Sequence, residues 1–120
     1  MVHKNEQGID VMFTSIGADN FSAEVIDVKR PVLLAYIVPA YAYAGQLEVL
    51  EILSKRYFDD LIKICLLSEN SVKGMASRNI IIDGSPTFII FNKGEEKARM
   101  IGKTNAKTLM SFVLKTIAEF

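Results

Sequence analysis

At 120 residues and 13.4 kDa the chain suits one compact domain and has no room for a second, and with half its residues apolar and 23% charged it is not a disordered chain. Fourteen basic residues cancel fourteen acidic ones, so the basic balance or stripe that marks nucleic-acid binding is missing. The single cysteine, Cys65, excludes an intramolecular disulfide, a Cys-rich zinc site and any dithiol couple within one chain, and the single histidine, His3, argues against a metal cluster or a histidine-assisted nucleophile.

No apolar run approaches the roughly 18 residues of a membrane helix. The polar start, Met1 to Gly8, has no secretory signal, so a cytoplasmic location is expected. Residues 1–9 read as a polar tail and residues 10–120 as a single domain. Val11 to Thr14 is a first short strand. Asp19 or Asn20 caps a short helix that carries Phe21 and Val25 on one face. Pro31 lacks a ladder donor and suits the first position of a strand. Val32 to Val38 follows without polar interruption, as in a strand covered on both faces.

From Ala44 to Tyr57 the period is helical: Leu47, Leu50, Leu53 and Tyr57 form a stripe, while Glu48, Glu51, Lys55 and Arg56 face away. Asp59-Asp60 ends this helix, and Leu61 to Leu67 is a third strand containing Cys65. Asn70 caps a short helix with Val72, Met75 and Ala76 inward. After Ile80 to Ile82, the cluster Asp83-Gly84-Ser85-Pro86 is a turn. Thr87 to Phe91 is a further apolar strand, Asn92-Lys93-Gly94-Glu95 a hairpin turn, and Lys97 to Ile101 the returning strand. Thr104 or Asn105 caps a last helix whose Leu109, Met110, Val113, Ile117 and Phe120 share a face. The order β-α-β-α-β-α-β-β-α predicts an α/β domain, a mixed sheet sandwiched by helices.

These landmarks resemble the thioredoxin family over about residues 10–120. Pro31 to Ala40 is similar to that family's second strand running into its active-site loop, and Ser85 to Phe91 to its cis-proline segment and fourth strand. Asn92 to Glu95 and Ile101-Gly102 are similar to its hairpin turn and groove glycine. The resemblance implies a five-stranded mixed sheet flanked by four helices, and a cis peptide before Pro86. The chemistry does not follow. Where the family carries Trp-Cys-Gly-Pro-Cys at a helix N-terminus, this chain has Ala40-Tyr41-Ala42-Tyr43-Ala44. A thiolate at a helix N-terminus has a lowered pKa and attacks a disulfide, and a second thiol three residues on resolves the product. Tyr41 and Ala44, at the positions of the two cysteines, do neither. The family's buried acid on the second strand corresponds to Ala35, and its kinking proline in the next helix is missing.

By this resemblance Tyr41, Tyr43, Ser85, Pro86 and Gly102 border a peptide-binding groove, and backbone pairing at Ser85 needs no cysteine. Tyr41 and Tyr43 are either drift at a lost site or an aromatic recognition surface, with anion binding by a hydroxyl at the helix N-terminus a further alternative. Cys65, flanked by Ile64 and Leu66, reads as a buried hydrophobe, and as a redox-active monothiol only if exposed. Met12, Met75, Met100 and Met110 are core filler, Lys103 is a solvated lysine or a feature favouring acidic peptides, and Asp59-Asp60 and Glu95-Glu96 form no acid/base dyad. The expected function is a redox-inactive domain that binds an extended protein segment in a chaperone-like or assembly role. The alternatives are an oxidoreductase acting through Cys65 and a structural subunit of a larger complex. No catalytic residue, cofactor, metal, nucleic acid or membrane partner is expected, only a protein partner.

Overall fold

The unbroken apolar runs of the sequence become the interior of a sheet. A computed structural model describes residues 3–4, 10–11, 13–38, 43–55 and 61–120, with side chains for all of these except 3–4, 10–11, 43–44 and 69. Strands β1 (His3–Lys4) and β2 (Asp10–Val11) pair antiparallel as a separate ribbon. The main sheet holds β3 (Thr14–Ile16), β4 (Val32–Tyr36), β5 (Lys63–Leu67), β6 (Thr87–Asn92) and β7 (Glu95–Ile101) in the order β3-β5-β4-β6-β7. β3, β5 and β4 run parallel, β6 is antiparallel to β4, and β7 is antiparallel to β6. Among the described residues the helical segments that accompany it are a π-helical turn at Ser22–Ile26, α1 (Tyr43–Leu53), a 3-10 turn at Glu69–Ser71, α2 (Val72–Ala76) and α3 (Ala106–Ile117). The chain is thus a mixed α/β domain with a five-stranded mixed sheet, as the element order predicts.

The alternation of side chains along a strand divides the core in two. Leu33 and Ala35 of β4, Ile64 of β5 and Phe88 and Ile90 of β6 meet Val49, Leu50 and Leu53 of α1 and Leu109 and Val113 of α3. Val32, Leu34, Cys65, Leu67, Ile89 and Phe91 point the other way, onto Phe21 and Val25 of the π-helical segment and Met75 of α2. β4 is the middle strand and is covered on both faces, so every core-facing residue from Val32 to Ala35 is apolar and buried. Phe21 meets Phe91 edge to face, with centroids 6.0 Å apart.

Element ends depart from the sequence reading where the apolar signal is weak. The first strand of the sheet is Thr14–Ile16, not Val11 to Thr14. As an edge strand it tolerates polar Thr14 and Ser15, and only Phe13 and Ile16 are buried. Asn20 does not cap the following helix; its Oδ1 accepts from the Gly17 N–H (2.7 Å) and its Nδ2 donates to the Ser15 carbonyl (2.9 Å), folding the turn back on β3. Asn70 is exposed and makes no cap, because a 3-10 turn at Glu69–Ser71 leads directly into α2. That helix, one turn long, buries Met75 and leaves Ala76 exposed. The third strand starts at Lys63, two residues later than expected, with Leu61 exposed. The buried face of α1 is centred on Gln46, Val49, Leu50 and Leu53, with Leu47 only partly covered; Tyr57, Asp59 and Asp60 lie outside the described residues. Asn105 caps α3 as expected, its Oδ1 accepting from the Thr108 N–H at 2.8 Å.

The β6–β7 hairpin turns at Lys93 (φ 53°) and Gly94 (φ 84°), the pair of positive φ angles that a two-residue hairpin requires. Gly94 also lies against the π-helical segment: a Cβ there would stand 3.1 Å from Ile26 Cγ2 and 3.3 Å from the Ile26 carbonyl oxygen. Gly94→Ala is therefore expected to destabilise the fold by about 1–2 kcal/mol from backbone strain alone, and Leu33→Ala, in the middle of the core, by about 2–5 kcal/mol. Urea unfolding followed by circular dichroism measures both.

Candidate functional site

Three strand ends and one helix start converge at the C-terminal edge of β4. The register sets Tyr36 opposite Thr87 and Thr87 opposite Ile101, so the residues just outside these strands (Ile37 and Val38, Ser85 and Pro86, Gly102) fall at one end of the sheet. Hydrogen bonds tie them together. The Val38 N–H donates to Ser85 Oγ (2.8 Å), and the Gly102 N–H donates to the Pro86 carbonyl (2.8 Å). Thr87, fully buried, donates its hydroxyl to the Gly84 carbonyl at 2.6 Å, as a buried hydroxyl must find a partner. The Ser85–Pro86 peptide is cis, in agreement with the sequence expectation. Pro86 is buried, whereas Ser85 is exposed, and among the described residues the backbone N–H and C=O of Ser85 meet no hydrogen-bond partner.

The segment leading into this turn is pinned from β7. Arg99 donates to the Ile81 carbonyl (2.6 Å) while its Nε and a second terminal nitrogen hold Glu96 Oε2 (2.7 Å) and Oε1 (2.8 Å). That carboxylate raises the Arg99 pKa above its usual value and fixes the guanidinium in place. Gly84 passes close to Ile101, leaving only 3.0 Å between a would-be Cβ and Ile101 Cγ2. Ile81 and Ile101 themselves are each about half exposed.

The helix side of the site rests on Gln46. Its Nε2 donates to the Thr104 carbonyl and its Oε1 accepts from the Thr104 N–H, each at 3.2 Å, so the first turns of α1 are bonded to the loop after Gly102. Of the sequence-predicted site residues, Ser85, Pro86 and Gly102 are brought together here. Tyr43 opens α1 and Ala44 follows it, and Tyr41 lies outside the described residues. The sequence reading missed Gln46 and Arg99. Gln46 was detectable as a polar residue four positions before Leu50, on the buried side of the helix.

Cys65 is elsewhere. It sits in β5, an interior strand next to the middle one, is fully buried among Leu34, Ile89 and Met75, and pairs in register with Thr14 on one side and Leu34 on the other. Burial pushes its thiol up to about 12, with Lys63 lowering and Glu24 raising it by smaller amounts. Lys63 itself is held by the Glu24 carboxylate (2.7 Å) and the Glu24 carbonyl (2.8 Å). Ala35 is a buried methyl packed toward α1 and α3. Met75 is core, Met100 and Met110 pack at its margin, and Met12 lies outside the described residues. Glu95 and Glu96 pair with Lys97 and Arg99 rather than with each other.

Among the described residues no cluster of three His, Cys, Asp or Glu side chains is placed to hold a metal, and no helix is long and apolar enough to cross a membrane. No family model matches the chain, and no curated protein matches it.

Two outcomes are expected of Cys65. The native protein at pH 8 resists iodoacetamide, and urea unfolding exposes the thiol to rapid modification. Because the folded-state pKa of about 12 lies above the ordinary value of 9.0, the unfolded chain loses this proton first. The contribution is intact below pH 9 and disappears as pH rises toward 12. The stability difference between wild type and Cys65→Ala is therefore expected to shrink by up to about 1.4 kcal/mol per pH unit above that lower limit. Denaturant titrations at several alkaline pH values measure the slope.

Proposed function

We propose that this chain is a thioredoxin-like domain that has kept the scaffold, has given up dithiol chemistry, and binds an extended segment of a protein partner in a chaperone-like or assembly role. The strand order β3-β5-β4-β6-β7 with helices on both faces, the cis peptide before β6 and the positive-φ glycine after β7 support the scaffold part of this reading. The groove in this reading is bounded by Tyr41, Tyr43, Ser85, Pro86 and Gly102.

One observation carries the binding part: the backbone N–H and C=O of exposed Ser85, without partners among the described residues, at the entrance of a strand. An extended chain alongside would add main-chain hydrogen bonds there and place a side chain against Ile101 or Ile81, both of which stand open to solvent. None of this needs a thiol. The buried thiol of Cys65, held protonated at neutral pH, counts against the competing reading of an oxidoreductase acting through it.

Two measurements test the reading. In the dithiothreitol-dependent reduction of insulin, turnover is expected to equal the protein-free blank, and any excess counts against the loss of dithiol chemistry. Benzoylphenylalanine at position 101, compared with the same residue at position 61 at the opposite end of the sheet, tests binding in the source cell. Leu61 is a matched control because it is also a large, exposed aliphatic residue. Crosslinks to one protein segment from position 101 alone are expected; equal yields from both positions, or none, would sink the groove.

A further inference from the structure

We infer that Gln46 is a positioning residue: its side-chain amide fixes the Gly102–Thr104 loop against the start of α1 and so sets the opening of the groove between them. For its consequence in binding, this rests on the groove reading above. The structural role stands apart from that reading.

Gln46 is only 8% exposed, and both halves of its amide go to one residue, Thr104, 58 positions away in the chain. A donor and an acceptor exchanged with the backbone of a single residue repeat the bonding of a hydrogen-bonded pair in an antiparallel ladder, which fixes separation and orientation together. Thr104 lies in the middle of the link between the end of β7 at Ile101 and the start of α3 at Ala106. Its backbone groups have no other partner among the described residues. On one side of it the Gly102 N–H holds the Pro86 carbonyl, and on the other Asn105 caps α3. A displacement of Thr104 is therefore passed to Gly102 and to the cis-proline turn.

The apolar contacts of Leu50 and Leu53 with Leu109 and Val113 bring α1 and α3 together, but such contacts are non-directional and allow small shifts. The Gln46 amide supplies the missing direction. Only a side chain of this length with one donor and one acceptor does so. Methionine has the length without either polar group, glutamate has only the acceptor, and asparagine is one methylene short.

The test uses the full chain with Gln46→Met and Gln46→Glu, read by amide exchange and two-dimensional amide NMR. In Gln46→Met the Thr104 amide is expected to exchange about tenfold faster, the effect of losing one hydrogen bond of ordinary strength. The Gly102 resonance moves, while Leu109 and Val113 keep wild-type protection. In Gln46→Glu the Thr104 N–H keeps its acceptor and stays protected, but the carboxylate opposite the Thr104 carbonyl still displaces Gly102. This second variant carries the test if the first does not fold. With benzoylphenylalanine at position 101, crosslink yield is expected to fall several-fold in both variants. Wild-type exchange at Thr104 in Gln46→Met together with an unmoved Gly102 in Gln46→Glu would show that Gln46 merely fills space and would overturn the inference. If the amides respond and crosslink yield does not change, the control of the groove opening is overturned. If the amides respond and even the unaltered protein captures nothing, the positioning role stands and the groove reading fails.

Discussion

The fold depends on burying β4 and β6 from both sides. A strand in the middle of a mixed sheet has its backbone groups satisfied by its two neighbours and can present apolar side chains in both directions. Here Val32 and Leu34 point to one layer and Leu33 and Ala35 to the other, and all are covered. That requirement forces helices onto both faces: α1 and α3 on one, the π-helical segment and α2 on the other. Each further feature follows from closing those two layers. Cys65 is buried because its strand is interior and covered, and Lys63, at the strand's start, reaches out to Glu24.

The same constraint produces the candidate site. A sheet filled on both faces leaves its backbone accessible only at the strand ends and outer edges. The seven-residue outer edge of β7 is protected by charges, Glu95, Glu96, Lys97 and Arg99, and by a bulge opposite Ile90 and Phe91. The end beyond β4 is different. Ser85, Pro86 and Gly102 are fixed by hydrogen bonds to Val38 and to each other, yet Ser85 is exposed. A hydrogen-bonded frame beside a main-chain donor and acceptor that meet no partner among the described residues suits the strand addition proposed above, because little ordering would be left for the moment of binding. Ile81 and Ile101 stand about half exposed, and Arg99 and Glu96 are engaged with each other.

Much of this was legible in the sequence. The runs Val32 to Val38 and Thr87 to Phe91 are readable because a doubly covered strand leaves no room for polar residues. The hairpin is readable because Asn92-Lys93-Gly94-Glu95 carries the residues that adopt positive φ. That Cys65 is the single cysteine, so that no dithiol can form within the chain, is readable by inspection, and so is Ser85-Pro86 as a turn before a strand. Less legible were the edge strand β3 and the caps. Asn20 and Asn70 have the right chemistry for helix starts, but Asn20 found a partner in β3 and Asn70 was displaced by a 3-10 turn. Local propensity offers such side chains several partners, and tertiary contacts choose among them.

By itself, then, the sequence determined the α/β class, the order of its elements, the apolar runs of the middle strands and the lack of a dithiol, all of which follow from residue type and short-range periodicity. Only the tertiary structure decided that Ser85, Pro86 and Gly102 meet, that Arg99 and Gln46 hold the segments around them, and that Cys65 is out of reach. These are pairings across 16 to 58 residues. A side chain's hydrogen-bonding capacity is written in its chemistry, but its partner is set by which strand ends the packed core brings together.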